Sequence, residues 1–224
     1  MTPFIRKNNE CGLDNNISAG REPCQLGWYS WACKNYCQNK TVLDVGAGMC
    51  DGIKLMRTLG SKSVYGQDID NRLCKLDDNL LIKSIFEIDE GSYDVVTCFD
   101  VIEHVIEDLD FFNYLKRIAK EILIITTPNF TRSKALNHYH CREYTLPQFT
   151  NIFLPDELWT ASPDGSIHNT LLLKKTTEGY IDMTRSNTIY IPLLNENLNF
   201  THSTVDGHEW PHICGLFYNK VNYH

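Results

Sequence analysis

Short apolar runs alternate with amphipathic segments through residues 41–127, and this alternation constrains the fold more than any other feature of the chain. Five runs rich in the residues that strands prefer lie at 41–45, 63–68, 81–85, 93–99 and 121–127. When helices separate consecutive strands, the strands lie parallel and are joined by right-handed crossovers. We therefore expect an α/β protein with a doubly wound, mostly parallel sheet in which strand 121–127 is central.

The spacing of apolar residues predicts helices between and beyond these strands. The predicted helices cover residues 23–38, 51–59, 71–80, 106–120 and 146–153. In the helix at 106–120 the expected buried residues are Leu109, Phe112, Leu115 and Ile118. Thr145 is the expected N-cap of the last helix. A Pro- and Gly-containing turn joins the runs at 157–161 and 168–174, which predicts a terminal antiparallel hairpin at or near the sheet edge.

These patterns divide the chain into three parts. Residues 1–24 are a polar lead-in, residues 25–174 form the main domain, and residues 175–224 form a C-terminal extension. The extension is rich in Asn, Thr and Tyr and is too short to build a core of its own. We expect it to append strands and loops that pack on the main domain.

The acidic composition bears on the partners of the chain. It carries 28 Asp and Glu against 21 Lys and Arg, a net charge of -7, and no long basic run. Because nucleic acids are bound mainly through Lys and Arg contacts to phosphates, this balance disfavours RNA or DNA. No apolar run approaches the roughly 20 residues of a membrane span. Nine scattered cysteines and no signal-peptide pattern indicate reduced thiols and a cytoplasmic protein.

The turn after the first strand is rich in glycine. Gly46, Gly48 and Gly52 have a spacing that fits neither the dinucleotide-binding fingerprint nor a phosphate-binding loop. In doubly wound sheets this turn lies at the carboxyl edge of the strands, where ligands bind. Asp68, or its neighbour Asp70, ends the second strand and is placed to bind the two hydroxyls of a ribose.

Four motifs follow one another along the chain: VLDVGAG at 42–48, VYGQD at 64–68, YDVVTCFDVIEHV at 93–105 and ILIITTPN at 122–129. Together they resemble the Rossmann-like, class I S-adenosylmethionine-dependent methyltransferases. The resemblance covers about residues 25–174, including the terminal hairpin. It implies a Rossmann-like fold, S-adenosyl-L-methionine as the cofactor and methyl transfer as the activity.

The resemblance also implies roles at the methionine end of the cofactor. Gly46 and Gly48 would form the turn beneath its amino-acid part. Asp44 would hold that turn and the ammonium group. Phe99 and Asp100 would lie beside the sulfur.

At the other end of the cofactor, Asp68 would bind the ribose, and Ile85 would flank the adenine.

Methyl transfer from a sulfonium is an in-line displacement, so the enzyme mainly aligns the acceptor and removes its proton. His104 and Glu103 are the candidate catalytic residues: His104 would line the acceptor pocket or act as the base, and Glu103 would cap or brace the cofactor loop.

A second interpretation of the segment at 100–104 involves a metal. The resemblance to the small-RNA 3′-end 2′-O-methyltransferases, which hold a metal with two acids and two histidines, implies Asp100, Glu103, His104 and His140 as ligands. Oxygen and imidazole donors suit Mg²⁺, Mn²⁺ or a similar ion. The motif equally resembles many small-molecule methyltransferases that use no metal, and we favour that interpretation.

Aromatic residues and histidines are candidates for contact with the methyl acceptor. Trp28 lies in the first helix, His140 in the loop after strand 121–127, and Trp210 in the extension. Each also has a structural interpretation, as a core residue or a loop residue. In the same loop, Arg142 and Glu143 are a candidate surface ion pair.

Three hypotheses about function result. The first is a methyltransferase that acts on a small-molecule acceptor. The second is a metal-assisted RNA 2′-O-methyltransferase, which the acidic charge disfavours. The third is an inactive methyltransferase-like binding module, which the intact Asp44, Gly46, Gly48 and Asp68 disfavour. The acceptor and the oligomeric state have no signal in the sequence.

Overall fold

A computed structural model describes residues 4–5, 23–134, 136–161, 171–177, 179–182, 190–192 and 212–219. Its strands are β1 (Phe4–Ile5), β2 (Thr41–Val45), β3 (Ser63–Asp68), β4 (Leu80–Ile82), β5 (Tyr93–Phe99), β6 (Ala119–Pro128), β7 (Arg142–Glu143), β8 (Glu157–Thr160), β9 (Leu171–Lys175), β10 (Gly179–Asp182), β11 (Tyr190–Pro192) and β12 (His212–Tyr218). Its α-helices are α1 (Pro23–Ala32), α2 (Asp51–Thr58), α3 (Asp108–Ile118), α4 (Phe130–Ser133) and α5 (Leu146–Phe153). Short 3₁₀ turns begin at Asn71, Ile85 and Ile102, and a π-helical turn, Cys33–Cys37, continues α1.

Ten of the described strands form one sheet in the order β11-β10-β9-β8-β12-β6-β5-β2-β3-β4. The five strands from β6 to β4 are parallel, and the others pair antiparallel. The first strand of this sheet, β2, lies between β3 and β5, so the strand order reverses there. Ligands bind at such a switch point, outside the carboxyl ends of the strands. The expected doubly wound α/β fold is confirmed.

Helices cover both faces of the parallel strands, which explains why the strands are apolar throughout rather than alternating. In β6, Ile122 and Ile124 pack on one face with α1 and α2. Leu123 and Ile125 pack on the other face with α3 and α5. All four are buried, and β6 lies in the middle of the sheet, as the sequence indicates.

The C-terminal strand β12 lies within the sheet. It pairs antiparallel with β6 from His212 opposite Pro128 to Tyr218 opposite Ile122, and with β8 on its other side. The expected hairpin forms between β8 and β9, but β12 separates it from the parallel strands. The C-terminal extension thus contributes a strand to the sheet, and this strand lies between the hairpin and β6 rather than at an edge.

Two local expectations are also wrong. Residues 71–80 form one 3₁₀ turn, Asn71–Leu73, rather than a helix. Asp70 accepts a bond from the backbone N–H of Arg72, and Asp77 from that of Asn79, and such local bonds compete with helix formation. The third strand is Leu80–Ile82 and ends before residue 85.

The buried face of α3 differs from the expected one by one residue. Phe111 is buried beside Phe112, Leu115 and Ile118, whereas Leu109 is 48% exposed. At 100° per residue, the centre of the buried stripe lies between Phe111 and Leu115, which turns Leu109 toward solvent. Helix α5 begins after Thr145 as expected, with Thr145 and Gln148 forming a capping box.

The seven cysteines whose side chains the structure describes are free thiols. None of the helices in the described ranges is long and apolar enough to cross a membrane.

The position of β12 inside the sheet predicts a large loss of stability when one of its buried side chains, Leu216, is truncated. Leu216 is fully buried between Ile124 and Glu157, so Leu216→Ala should lower the free energy of unfolding by roughly 2–5 kcal/mol. The matched change at Leu136, which is 80% exposed, should have almost no effect. Chemical denaturation measures both. Equal effects would mean that β12 is not part of the sheet.

Candidate cofactor-binding and catalytic site

The turn after β2 requires glycine at one position and leaves room for a ligand at another. Gly46 has a φ of +66° and donates its N–H to the carbonyl oxygen of Gln67 at 2.8 Å. A Cβ on Gly46 would lie 2.4 Å from Cγ2 of Val101. Gly48 has a φ of +51°, and a Cβ there would meet no atom of the described residues within 4 Å. The turn is therefore closed on one side and open on the other.

Asp68 ties the end of β3 to this turn. One carboxylate oxygen accepts the backbone N–H of Gly48 at 3.0 Å, and the other accepts that of Asp70 at 3.0 Å. The two bonds fix the orientation of a carboxylate that is almost completely buried. Because an ionised carboxylate has about four acceptor positions, both oxygens can accept further hydroxyl donors. The neighbouring candidate, Asp70, is instead bound to the guanidinium of Arg72.

A cavity of about 390 Å³ opens beside Asp68 and the turn. Its volume is within the range of small-molecule and cofactor sites. Five residues predicted for the site line it: Gly46, Asp68, Ile85, Asp100 and His104. Most of the remaining wall is apolar and includes Val101, Val105 and Phe111. The arrangement provides a few polar groups at fixed places in a mainly apolar cleft.

Asp44 and Phe99 lie beneath the site rather than on its wall. Asp44 is fully buried and accepts hydrogen bonds from the Tyr29 hydroxyl at 3.0 Å and from Thr97 Oγ1 at 2.9 Å. The Phe99 ring packs edge-on against the Tyr29 ring, with the centroids 4.7 Å apart. Tyr29 of α1 therefore contacts both Asp44 and Phe99 and joins the first helix to the ends of β2 and β5.

Asp100 is where three distant parts of the chain meet. It has a φ of +54° and accepts bonds from Thr126 Oγ1 at 3.0 Å and from Gln25 Nε2 at 2.7 Å. His212 Nε2, at the start of β12, is 3.6 Å from its carboxylate. The contacts of Gln25 and His212 have no local sequence signal, because they depend on how α1 and β12 meet the end of β5.

Glu103 is completely buried. Oε2 accepts a hydrogen bond from Thr127 Oγ1 at 3.1 Å, whereas Oε1 has no hydrogen-bond partner in the described parts of the chain. Burial, reinforced by the nearby charge of Asp100, raises the pKa of the Glu103 carboxyl well above its ordinary value. A buried acceptor without a hydrogen-bond partner lowers the stability of a folded protein, so the environment of Oε1 calls for an explanation.

The two predicted histidines meet above Glu103. The rings of His104 and His140 are edge to face with their centroids 4.8 Å apart. Nδ1 of His104 is 3.1 Å from the carbonyl oxygen of Tyr139, and Nδ1 of His140 is 2.5 Å from Glu143 Oε1. Within the described ranges, Glu103, His104 and His140 form a group whose donor atoms all lie within 4.8 Å of one another. Asp100, the fourth predicted ligand, is outside that group.

Three further expectations concern residues near the site. Arg142 and Glu143 do not form a surface ion pair, because Arg142 binds Asp108 and Glu143 is fully buried against His140 and Ser133. Trp28 is fully buried in the core, packed against Trp31, and the structure does not bring it to the cavity wall. Trp210 lies outside the described residues.

Comparison with known proteins agrees with the methyltransferase-like fold and site described above. Residues 43–124 match a family model described as "Methyltransferase domain". This span runs from the first strand of the parallel sheet through β5 into β6, and so includes the glycine turn and Asp68. No curated protein matches the sequence.

Solved structures show the same fold over most of the chain. An S-adenosylmethionine-dependent methyltransferase from Archaeoglobus fulgidus aligns with a TM-score of 0.57 at 12% identity, covering 87% of this chain and 92% of that one. A chain from the complex of the Haloferax volcanii Trm112 methyltransferase activator with a candidate methyltransferase aligns with a TM-score of 0.54 at 12% identity, covering 89% and 92%. The chain thus has the Rossmann-like class I methyltransferase fold, and the resemblance found in its motifs is confirmed.

The contact between Gly46 and Val101 generates a prediction with a matched control. Gly46→Ala and Gly91→Ala both place a side chain at positive φ, which costs about 1 kcal/mol each. Only the Gly46 variant also meets Val101, since the site of a Cβ at Gly91 is open to 4 Å within the described chain. Gly46→Ala should therefore lower the free energy of unfolding by roughly 1–3 kcal/mol more than Gly91→Ala. Equal values in chemical denaturation would contradict the close approach.

Proposed function

We propose that this chain binds S-adenosyl-L-methionine in the cavity at the switch point and transfers its methyl group to a small-molecule acceptor. The observation that carries the proposal is the Asp68 carboxylate, fixed on the cavity wall by the backbone N–H of Gly48. This bond puts a diol-binding group and an open glycine turn side by side. The methyltransferase family match over residues 43–124 supports the same function.

The residues present fit this cofactor. Asp68 would accept the two ribose hydroxyls, and the open space beside Gly48 would receive the amino-acid part. Ile85 and its neighbour Phe86 give the adenine an apolar surface. Asp100 lines the same cavity, where it would lie at the methionine end.

The cofactor, when bound, supplies an electrophilic methyl group on a sulfonium, and the chain supplies alignment and charge. Asp100 is held by Thr126, Gln25 and His212, which fixes its carboxylate on the cavity wall, where it would attract the cationic end of the cofactor. His104 lies on the cavity wall with Nδ1 at the Tyr139 carbonyl, which fixes the ring and leaves Nε2 as the atom that would accept a proton from the acceptor as long as no metal ion is bound to it.

A small acceptor agrees with the cavity and the charge of the chain. The acceptor and the cofactor would share a cleft of about 390 Å³. The excess of 28 acidic over 21 basic residues opposes binding of an RNA phosphate backbone. The acceptor would approach past His104 and Val105, on a wall that is mainly apolar.

Calorimetric titration with S-adenosylhomocysteine tests cofactor binding without knowledge of the acceptor. Asp68→Asn should weaken binding by about 1.5–3 kcal/mol, or roughly 10- to 150-fold, because the amide keeps only one acceptor oxygen. Asp78→Asn, at an exposed acid of the same region, removes the same charge and should leave the affinity unchanged. Equal affinities of the two variants would contradict the assignment of Asp68.

A screen with radiolabelled S-adenosylmethionine and pooled small-molecule acceptors separates an enzyme from a binding module. We expect transfer of label to at least one acceptor that carries an oxygen or nitrogen nucleophile. Cofactor binding without transfer to any acceptor pool would favour the inactive binding module.

A further inference from the structure

Three side chains with metal-binding atoms converge beside the cavity, and one of them, His104, lines it. The donor atoms of Glu103, His104 and His140 lie within 4.8 Å of one another. Metal–nitrogen and metal–oxygen bonds of about 2.0–2.2 Å place tetrahedral ligands about 3.4 Å apart, so small side-chain rotations would close the group around an ion. The three residues come from two segments of the chain that only the fold brings together.

Both histidines are oriented as metal-binding histidines usually are. Nδ1 of His104 is bound to the carbonyl oxygen of Tyr139, and Nδ1 of His140 is bound to the buried carboxylate of Glu143. A carbonyl or carboxylate on one ring nitrogen selects the tautomer whose other nitrogen coordinates a metal, and it raises the basicity of that nitrogen. Nε2 is therefore the coordinating atom expected of each ring.

The buried carboxylate of Glu103 gives a second, independent indication of a bound ion. Its side chain is completely buried, and Oε1 has no hydrogen-bond donor in the part of the chain that the structure describes. Oε2 is held by Thr127 Oγ1, which fixes the carboxylate. A buried acceptor of this kind is normally satisfied by a hydrogen bond, a water or an ion.

We propose that Glu103, His104 and His140 bind a divalent transition-metal ion and that this ion coordinates a heteroatom of the methyl acceptor. The coordination of the acceptor rests on the proposed methyltransferase function, whereas the metal site itself does not. Glu143 and the Tyr139 carbonyl orient the two histidines from behind. Asp100 contacts Gln25, Thr126 and His212 and lies outside the group, so it is not a metal ligand.

The donor set selects the class of ion. Two imidazoles and one carboxylate suit Zn²⁺, Mn²⁺, Fe²⁺, Co²⁺ or Ni²⁺, whereas Mg²⁺ and Ca²⁺ prefer sites made of oxygen. Three protein ligands leave at least one coordination position for another group. Since His104 lines the cavity whereas Glu103 and His140 are buried, an acceptor oxygen or nitrogen bound in the cavity would take that position.

Titration of untagged, chelator-treated protein with Zn²⁺, Mn²⁺, Co²⁺ and Mg²⁺ tests the site directly. We expect one equivalent of Zn²⁺ or Co²⁺ to bind at micromolar concentration or below, Co²⁺ to show the visible absorption of a site with nitrogen ligands, and Mg²⁺ to bind at least 100-fold more weakly. Absence of saturable binding by any of the transition metals would overturn the proposal.

Matched variants locate the ion. His140→Ala and Glu103→Gln should weaken Co²⁺ binding by more than 100-fold, and Glu143→Gln by about 10- to 100-fold because it acts through His140. His138→Ala removes an exposed histidine of the same loop and should leave binding unchanged. Full Co²⁺ affinity in a folded Glu103→Gln or His140→Ala protein would also overturn the proposal.

The same samples distinguish this proposal from the proposed function. S-adenosylhomocysteine is titrated into the metal-free wild type, whose fold is checked by circular dichroism. If S-adenosylhomocysteine binds and the transition metals do not, only the metal site is contradicted. If a metal binds and S-adenosylhomocysteine does not, the metal site is supported and the cofactor assignment is contradicted.

Discussion

The hydrogen bond between the backbone N–H of Gly48 and the Asp68 carboxylate joins the ends of two neighbouring parallel strands, and the arrangement of the cavity depends on it. It holds the turn after β2 against the end of β3 while Gly46 is pressed against Val101 from the other side. The turn is therefore fixed by contacts with β3 and with the segment after β5. A ligand at this point meets backbone and carboxylate groups whose positions are set by the sheet.

The other side of the cavity is assembled from parts that are far apart in the sequence. Gln25 of α1 and His212 of β12 both reach Asp100, which follows β5. Because β12 runs antiparallel beside β6, its first residue comes to the carboxyl edge of the parallel strands, where the cavity lies. The C-terminal segment thus completes the sheet and contributes a residue beside the site.

The features predictable from the sequence are those with local causes. Strands β2, β3 and β5 and helix α5 follow from short apolar runs and a capping box, and Gly46 and Asp68 follow from a turn at a strand end. The insertion of β12 was not predictable, because the partner of an antiparallel strand depends on which edge the rest of the sheet leaves open. The bond between His140 and Glu143 depends in the same way on the packing of two distant loops, and so does the Glu103 oxygen that has no hydrogen-bond partner among the described residues.

A crystal structure of the protein with S-adenosylhomocysteine would test the central claim most directly. The account predicts both ribose hydroxyls within hydrogen-bonding distance of the Asp68 carboxylate, the adenine against Ile85, and the sulfur on the side of Asp100. A ligand bound outside this cavity, or with its ribose away from Asp68, would contradict the account.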